Sequence, residues 1–305
     1  MAGEIYEWFG FRAADRSVLA RESADAKRCP FVDGPCTKTG GVCSVKLHQS
    51  QEIVPVCPKR LYFRGHEFLR EIAQEAFSGL DLILAPDGLP NLLPGSDLKT
   101  ARSEHGKFRA GAFGQGWAAE IRLPAAIKGG ARYSVDFTVV AVDETSELVS
   151  FVLVEVQTID TTGSYKVSLD ALNDDREIVS SNIGMNWENV NKRILPQLII
   201  KGLMLQAERF CKTGIYFATP ESVYRRLVLR LGGEDRLRQI PKQPGSITFM
   251  RYRHDIEAAS LPGAVVPLKR LPDTTISTSD MSLAFITPQN LPPGGAFEQE
   301  ILKKI

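Results

Sequence analysis

Apolar residues recur along this chain with two different periods. His66–Phe77 carries Phe68, Ile72 and Ala76 on one face and charges elsewhere, which predicts an amphipathic helix. Asp81–Leu84 is a short apolar run that stops at Pro86. Arg132–Val142 and Val149–Thr158 are rich in β-branched and aromatic residues and predict two strands. Asp143-Glu144-Thr145-Ser146-Glu147 joins them as a hairpin-length connection. Trp187–Cys211 predicts a long helix that Pro196 must kink or interrupt. Gly214–Ala218 predicts a short strand, and Thr219-Pro220 a helix start with proline in the first helical position. Tyr224, Leu227, Val228 and Leu231 keep helical spacing up to Gly232-Gly233. Ser246–Tyr252 predicts another strand. Residues 1–60 are turn-rich, 86–116 read as loops around uncertain elements, and Pro, Thr and Ser from Leu261 onward predict an extended, loosely structured tail. The order helix, strand, strand, helix, strand, helix, strand predicts an α/β fold with a mixed central sheet.

Composition narrows this picture modestly. A length of 305 residues allows one large domain, or a core domain with a small module. The 43% hydrophobic and 24% charged content is that of an ordinary globular protein. No apolar stretch is long enough to span a bilayer. Met1-Ala2-Gly3-Glu4-Ile5 has neither a basic nor an apolar leader region, so the expectation is a cytoplasmic protein without a membrane partner. The net charge of +1 does not advertise a polyanion partner. A local basic cluster nevertheless runs through Arg225, Arg226, Arg230, Arg236, Arg238, Lys242, Arg251 and Arg253, mostly as expected of solvated surface.

Cysteine usage changes the picture more. Cys29, Cys36, Cys43 and Cys57 lie close together, and turn-formers flank each: Cys29-Pro30, Gly34-Pro35-Cys36, Gly40-Gly41-Val42-Cys43 and Cys57-Pro58. In a cytoplasmic protein four clustered thiols suggest a tetrahedral metal site rather than disulfides. Six, six and thirteen residues separate them, with no CxxC pair, so two disulfides or four unrelated thiols stay open on spacing alone. Cys211 stands apart and reads as a buried structural thiol.

Two carboxylates interrupt the predicted strands. Glu155 and Gln157 sit two apart in Phe151-Val152-Leu153-Val154-Glu155-Val156-Gln157, a run apolar enough to be buried on both faces, and so share one face. Asp136 interrupts the preceding strand and can approach Glu155 across a hairpin ladder. Two buried carboxylates repel, and a divalent cation relieves the conflict; Mg²⁺ typically takes one or two protein carboxylates and keeps sites for water and phosphate. A salt bridge from each carboxylate to a nearby lysine or arginine fits the same pattern.

Asp on one strand followed by Glu-x-Lys on the next is the signature of the PD-(D/E)XK nuclease fold, and here Gln157 stands in place of the lysine. Val154-Glu155-Val156-Gln157-Thr158-Ile159-Asp160 with Gly163-Ser164-Tyr165-Lys166 resembles the NotI-type family of type II restriction endonucleases. Glu7-Trp8-Phe9-Gly10, the four cysteines with their flanks, Asn189-Val190, Lys192-Arg193, Gln197, Thr213-Gly214, Pro220 and Ser222-Val223 resemble it too, in scattered blocks over roughly residues 7 to 225. The resemblance implies a PD-(D/E)XK core with a mixed central sheet flanked by helices over 66–305, preceded by a four-cysteine metal module over 1–65. It implies catalytic roles for Asp136, Glu155 and Gln157, with Glu120 as an accessory acid. It implies Mg²⁺ on Asp136 and Glu155, and iron, or zinc, on Cys29, Cys36, Cys43 and Cys57. It also implies a homodimer that cuts double-stranded DNA at a GC-rich palindrome containing GGCC, such as CGGCCG, leaving 5′-phosphate ends. Lys166, Lys192, Arg193 and the Arg225–Arg253 cluster are candidates for phosphate or base contacts. Gln157 can orient water but cannot act as a cation, so more of the electrostatic work falls on the metal. A structure-specific repair nuclease and a non-cleaving DNA-binding protein with a four-cysteine module are the competing readings.

Overall fold

The computed structural model describes residues 2–123, 133–258, 261–289 and 291–305. Its first strands, β1 (Gly3–Trp8) and β2 (Phe11–Arg12), form a hairpin. Helix α1 (Val18–Asp25) follows, its first turn capped by the Ser17 hydroxyl, which accepts from Ala20 N. The two-residue strands β3 (Arg28–Cys29) and β4 (Gly34–Pro35) make a second small hairpin. Strands β5 (Val42–Leu47) and β6 (Ile53–Pro55) then complete an antiparallel sheet in the order β2-β1-β5-β6.

Helix α2 (Phe63–Ala76) includes Arg64, Gly65 and His66 in left-handed backbone, so its regular part begins at Glu67, one residue into the helix expected over His66–Phe77. The central sheet begins with β7 (Leu92–Pro94), β8 (Arg109–Gly114), β9 (Phe137–Val142) and β10 (Leu148–Val156). After the short pair β11 (Thr161–Gly163) and β12 (Ile183–Met185) and helices α3 (Lys166–Asp175) and α4 (Leu195–Leu205), strand β13 (Ile215–Pro220) enters the sheet parallel to β10. Helix α5 (Glu221–Arg230) leads to β14 (Ser246–His254), parallel to β13. The outer edge of β14 is taken by β15 (Leu268–Arg270) and β16 (Thr274–Ser277), both antiparallel to it. The chain ends in α6 (Thr278–Ile286) and α7 (Ala296–Leu302). The main order is β15-β14-β13-β10-β9-β8-β7, a mixed sheet in an α/β fold, as the alternation of periods predicts.

Two apolar layers cover this sheet. Phe68, Leu69 and Ile72 of α2 pack with Phe137, Val139, Val154, Tyr216 and Met250 on one face. On the other, Leu195 and Leu198 of α4 and Val223 and Leu227 of α5 pack with Ile215, Phe217 and Phe249. Ile5, Trp8, Val42 and Val45 of the amino-terminal sheet belong to that same cluster, so the apolar core is continuous across residue 65.

Several expectations are corrected. The strand expected over Arg132–Val142 begins only at Phe137, with Asp136 in the bend before it; Arg132 lies outside the described residues. The expected loop over 86–116 contains β7 and β8. Ala110-Gly111-Ala112 carries almost no β signal: a Cβ on Gly111 would stand 2.6 Å from Leu98 Cδ1, while Ala110 and Ala112 are buried in the layer on the other face. Strand β10 is not buried on both faces: Val152, Val154 and Val156 are buried, while Phe151, Leu153 and Glu155 of the other face are only partly covered. Pro196 is accommodated at the start of α4 by a π-helical turn over Val190–Ile194, which relieves the missing N–H. Pro220, not Thr219, is the N-cap of α5; Thr219 is the penultimate residue of β13, where its hydroxyl donates to the Gln157 carbonyl at 2.8 Å. The expected loose tail is ordered through β15, β16 and α6, with Thr274, Thr275, Ile276 and Met281 buried. No helix among the described residues is long and apolar enough to cross a membrane.

Candidate active site

The β9–β10 register pairs Phe137 with Val154, and one further step sets Asp136 beside Glu155. Asp136 Oδ2 accepts from Val156 N at 2.8 Å, and the Asp136 backbone N–H favours the charged Glu155 carboxylate. Both side chains therefore meet where β10 ends, beside the carboxyl end of the parallel strand β13. Ligands of open α/β sheets gather at such ends.

Lys201 completes the constellation, and nothing in the strand motif announced it. It projects from α4 onto the partly covered face of β10, and its Nζ forms an ion pair with Glu155 Oε1. The two side chains are only 10% and 13% exposed, so solvent screens the pair weakly. Burial and the Asp136 carboxylate push Glu155 up to about 7, against the pull of Lys201. Burial likewise raises Asp136, although the Val156 N–H and Lys201 oppose it. Burial, then Asp136, Cys57 and Glu155, raise the phenol of Tyr62, whose ring packs edge-on against Phe137 at 5.4 Å.

The other expected residues are placed less uniformly. Gln157 follows Glu155 at the strand end; its backbone N–H donates to the Ala218 carbonyl and its side-chain Nε2 to the Thr158 carbonyl at 3.1 Å. The amide oxygen is then left to accept from a ligand or water. Glu120 is exposed and pairs with Arg122 at 3.2 Å, yet its charge still reaches Asp136 and raises it. It stands at the rim of the site.

The Arg225–Arg253 cluster does not form one face. Arg226 stacks on Trp187 at 4.7 Å, and Arg230 lies over Phe285 at 5.7 Å. Arg236 donates to the Thr287 carbonyl, Lys242 pairs with Glu75 at 2.6 Å, and Arg251 binds the Pro272 carbonyl and faces Glu221. Arg225 pairs with Glu52, while Arg238 and Arg253 are exposed. Nearer the carboxylates, Arg193 lies 3.8 Å from Asp160, Lys192 pairs with Glu188, and Lys166 is exposed at the start of α3.

The four clustered cysteines are free thiols, and three of them are buried. Cys29 ends β3, Cys36 follows the β3–β4 hairpin, Cys43 lies in β5, and Cys57 precedes the turn over Pro58–Tyr62. They are electrostatic neighbours: Cys36 acts on Cys29, Cys57 on Cys43, and Cys29 and Cys36 on Cys57. Burial raises Cys29, Cys43 and Cys57, while backbone N–H groups of Phe31 and Val32, of Gly10 and of Lys59 respectively point at their sulfurs. Such N–H donors suit thiolates bound to a metal. Among the described residues, however, no three His, Cys, Asp or Glu side chains gather closely enough to hold one ion, so a closed shell requires the thiols to draw together. Cys211 is fully buried and donates to the Gly214 carbonyl, as a structural thiol would.

Asp136 and Glu155 fit an oxygen-preferring divalent cation in kind: two neighbouring carboxylates, little solvent, and one ammonium as counter-charge. No protein family matches this chain, and no curated protein is significantly similar to it.

Proposed function

We propose that this chain is a type II restriction endonuclease of the NotI type, with a PD-(D/E)XK core and a four-cysteine structural metal module. The observation that carries the reading is the meeting of Asp136 and Glu155 at the end of β10, with Gln157 one position beyond the strand. A carboxylate pair that burial and mutual repulsion push toward protonation is an unstable arrangement unless it serves a cation. Mg²⁺ held by Asp136 and Glu155 would supply Lewis-acid stabilisation of the phosphoryl oxygens and an activated water. Gln157, its Nε2 held by the Thr158 carbonyl, would be free to orient a water through its amide oxygen, and Thr219 fixes the strand end by binding the Gln157 carbonyl. Lys166, Lys192 and Arg193 supply phosphate contacts. Cys29, Cys36, Cys43 and Cys57, once drawn together, would hold iron or zinc, which would keep the amino-terminal segment in shape beside the core. A homodimer acting in the cytoplasm reads a GC-rich, GGCC-containing palindrome because protein and DNA share a two-fold axis.

The test is digestion of a long GC-rich duplex with Mg²⁺, with EDTA, and with Glu155→Ala. Discrete fragments with 5′-phosphate ends, seen only for the wild type with Mg²⁺, are expected. Binding of duplex DNA without cutting under any condition would replace this reading with a non-cleaving binding protein. Cutting governed by DNA structure rather than sequence would replace it with a repair nuclease.

A further inference from the structure

Lys201 reaches Glu155 from an element remote from the strand motif, and its surroundings are unusual for a lysine. It sits in Leu198-Ile199-Ile200-Lys201-Gly202-Leu203, a nearly unbroken apolar stretch of α4. Its residue exposure is 8%, and burying an ammonium this far is costly unless the site requires the charge. Beside it lies a cavity of about 270 Å³ on the partly covered face of β10, lined by Val135, Phe151, Leu153 and Met204 among others, with Glu208 also in its wall. Lys201 lines that cavity, and its ammonium caps Glu155.

We propose that Lys201 is the resident counter-ion of the Asp136–Glu155 pair and gives way to a divalent cation at the Glu155 oxygen it holds. Without the divalent ion, the ammonium offsets one of the two negative charges and keeps both carboxylates folded side by side. A cation binding Asp136 and Glu155 needs the Glu155 Oε1 lone pairs that Lys201 now occupies. The ammonium then leaves that oxygen, and the cavity lets the side chain swing without unpacking α4. Its charge stays beside the site, where an incoming phosphate can take it up in place of the carboxylate. No covalent bond changes in this exchange; with Lys201 retained beside it the site goes from one net negative charge to one net positive charge, which an incoming anionic phosphate can offset.

Only the final contact with phosphate rests on the nuclease reading; the exchange needs the two carboxylates alone. Calorimetric titration with Mg²⁺, without DNA, tests it on the wild type, Lys201→Met and Lys201→Arg. Removing the competing ammonium should tighten Mg²⁺ binding about tenfold in Lys201→Met, while Lys201→Arg stays near the wild type. Lys201→Met should also lose most DNA cleavage while still binding the duplex. Unchanged or weaker Mg²⁺ binding in a folded Lys201→Met variant would overturn the exchange, because a merely structural lysine leaves no competition to relieve. Should that variant not fold, ¹⁵N spectra of the lysine ammonium groups in the wild type decide the matter. A resonance that shifts in step with Mg²⁺ binding and is absent from Lys201→Arg is expected; no such shift would overturn the proposal. Exchange without any DNA cutting would sink the nuclease reading and leave the exchange standing, and cutting without exchange would do the reverse.

Discussion

Glu7 and His254, 247 positions apart, share a 2.8 Å hydrogen bond in which His254 Nε2 donates to Glu7 Oε2. Arg60 Nε reaches both Glu7 oxygens at 3.0 and 2.9 Å, and the Ser44 hydroxyl donates to the same carboxylate. Glu7, Arg60 and Ser44 are fully buried, and Arg60 also binds the Val266 carbonyl. This joint ties β1 and β5 of the amino-terminal sheet to the end of β14, so it sets where the cysteine-bearing segment lies against the core. Glu7 even raises the Cys43 thiol.

Glu7→Gln should destabilise the fold by about 3–5 kcal/mol, because it leaves the Arg60 guanidinium buried without its countercharge. The wild type should also show an acid limb. Burial pushes Glu7 up, but Arg60 and His254 together hold it at about 2, against 4.5 for an ordinary glutamate. A carboxylate depressed in the folded state stabilises fully above pH of about 4.5 and loses that contribution as pH falls toward 2. Denaturant unfolding at stepped pH should show this loss in the wild type and a flatter limb in Glu7→Gln; parallel limbs would contradict the assignment.

Gly202 of α4 packs directly against Thr278 at the start of α6. A Cβ there would stand 2.1 Å from Thr278 Oγ1. Gly202→Val should therefore cost roughly 1–3 kcal/mol by overpacking, although valine is tolerated in helices. Adding Thr278→Ala, which removes the obstructing hydroxyl, should recover part of the loss. A Gly202→Val variant as stable as the wild type in urea would show that α6 packs elsewhere.

The cysteine cluster predicts a measurable metal content. Protein purified without chelator should carry about one iron or zinc per chain, and Cys43→Ser should lower both that content and the thermal midpoint. Chelation should also destabilise the wild type, since ligand binding to the folded state alone contributes to stability. Four freely titrating thiols with no bound metal, and no effect of Cys43→Ser on the melt, would return the cluster to four unrelated thiols.

The sequence carried the strand pair and its chemistry because a period of two exposes any polar interruption. Asp136 and Glu155 stood out in otherwise apolar runs, and the register brings them together. Lys201 left a weaker signal, a lone charge in an apolar helical stretch, and spacing could not say which carboxylate it would meet. Strand β8 was hidden because Gly111 answers to Leu98 on one face, and Ala110 and Ala112 to the α2-side core on the other, rather than to β propensity. The arginines of 225–253 looked like one basic patch because their sequence separation is small, but α5 and β14 turn them toward different partners.

Alternation of helical and strand periods along the chain was enough to determine an α/β protein with a mixed sheet and two candidate acids, because those patterns are set within a few residues. Packing decided the rest. The bond between Glu155 and Lys201, the Glu7–Arg60–His254 joint and the ordered carboxyl-terminal strands each depend on surfaces that meet only when distant segments cover the same core. Burial strengthens electrostatic pairs and fixes edge strands, and burial is a property of the assembled fold rather than of any local stretch.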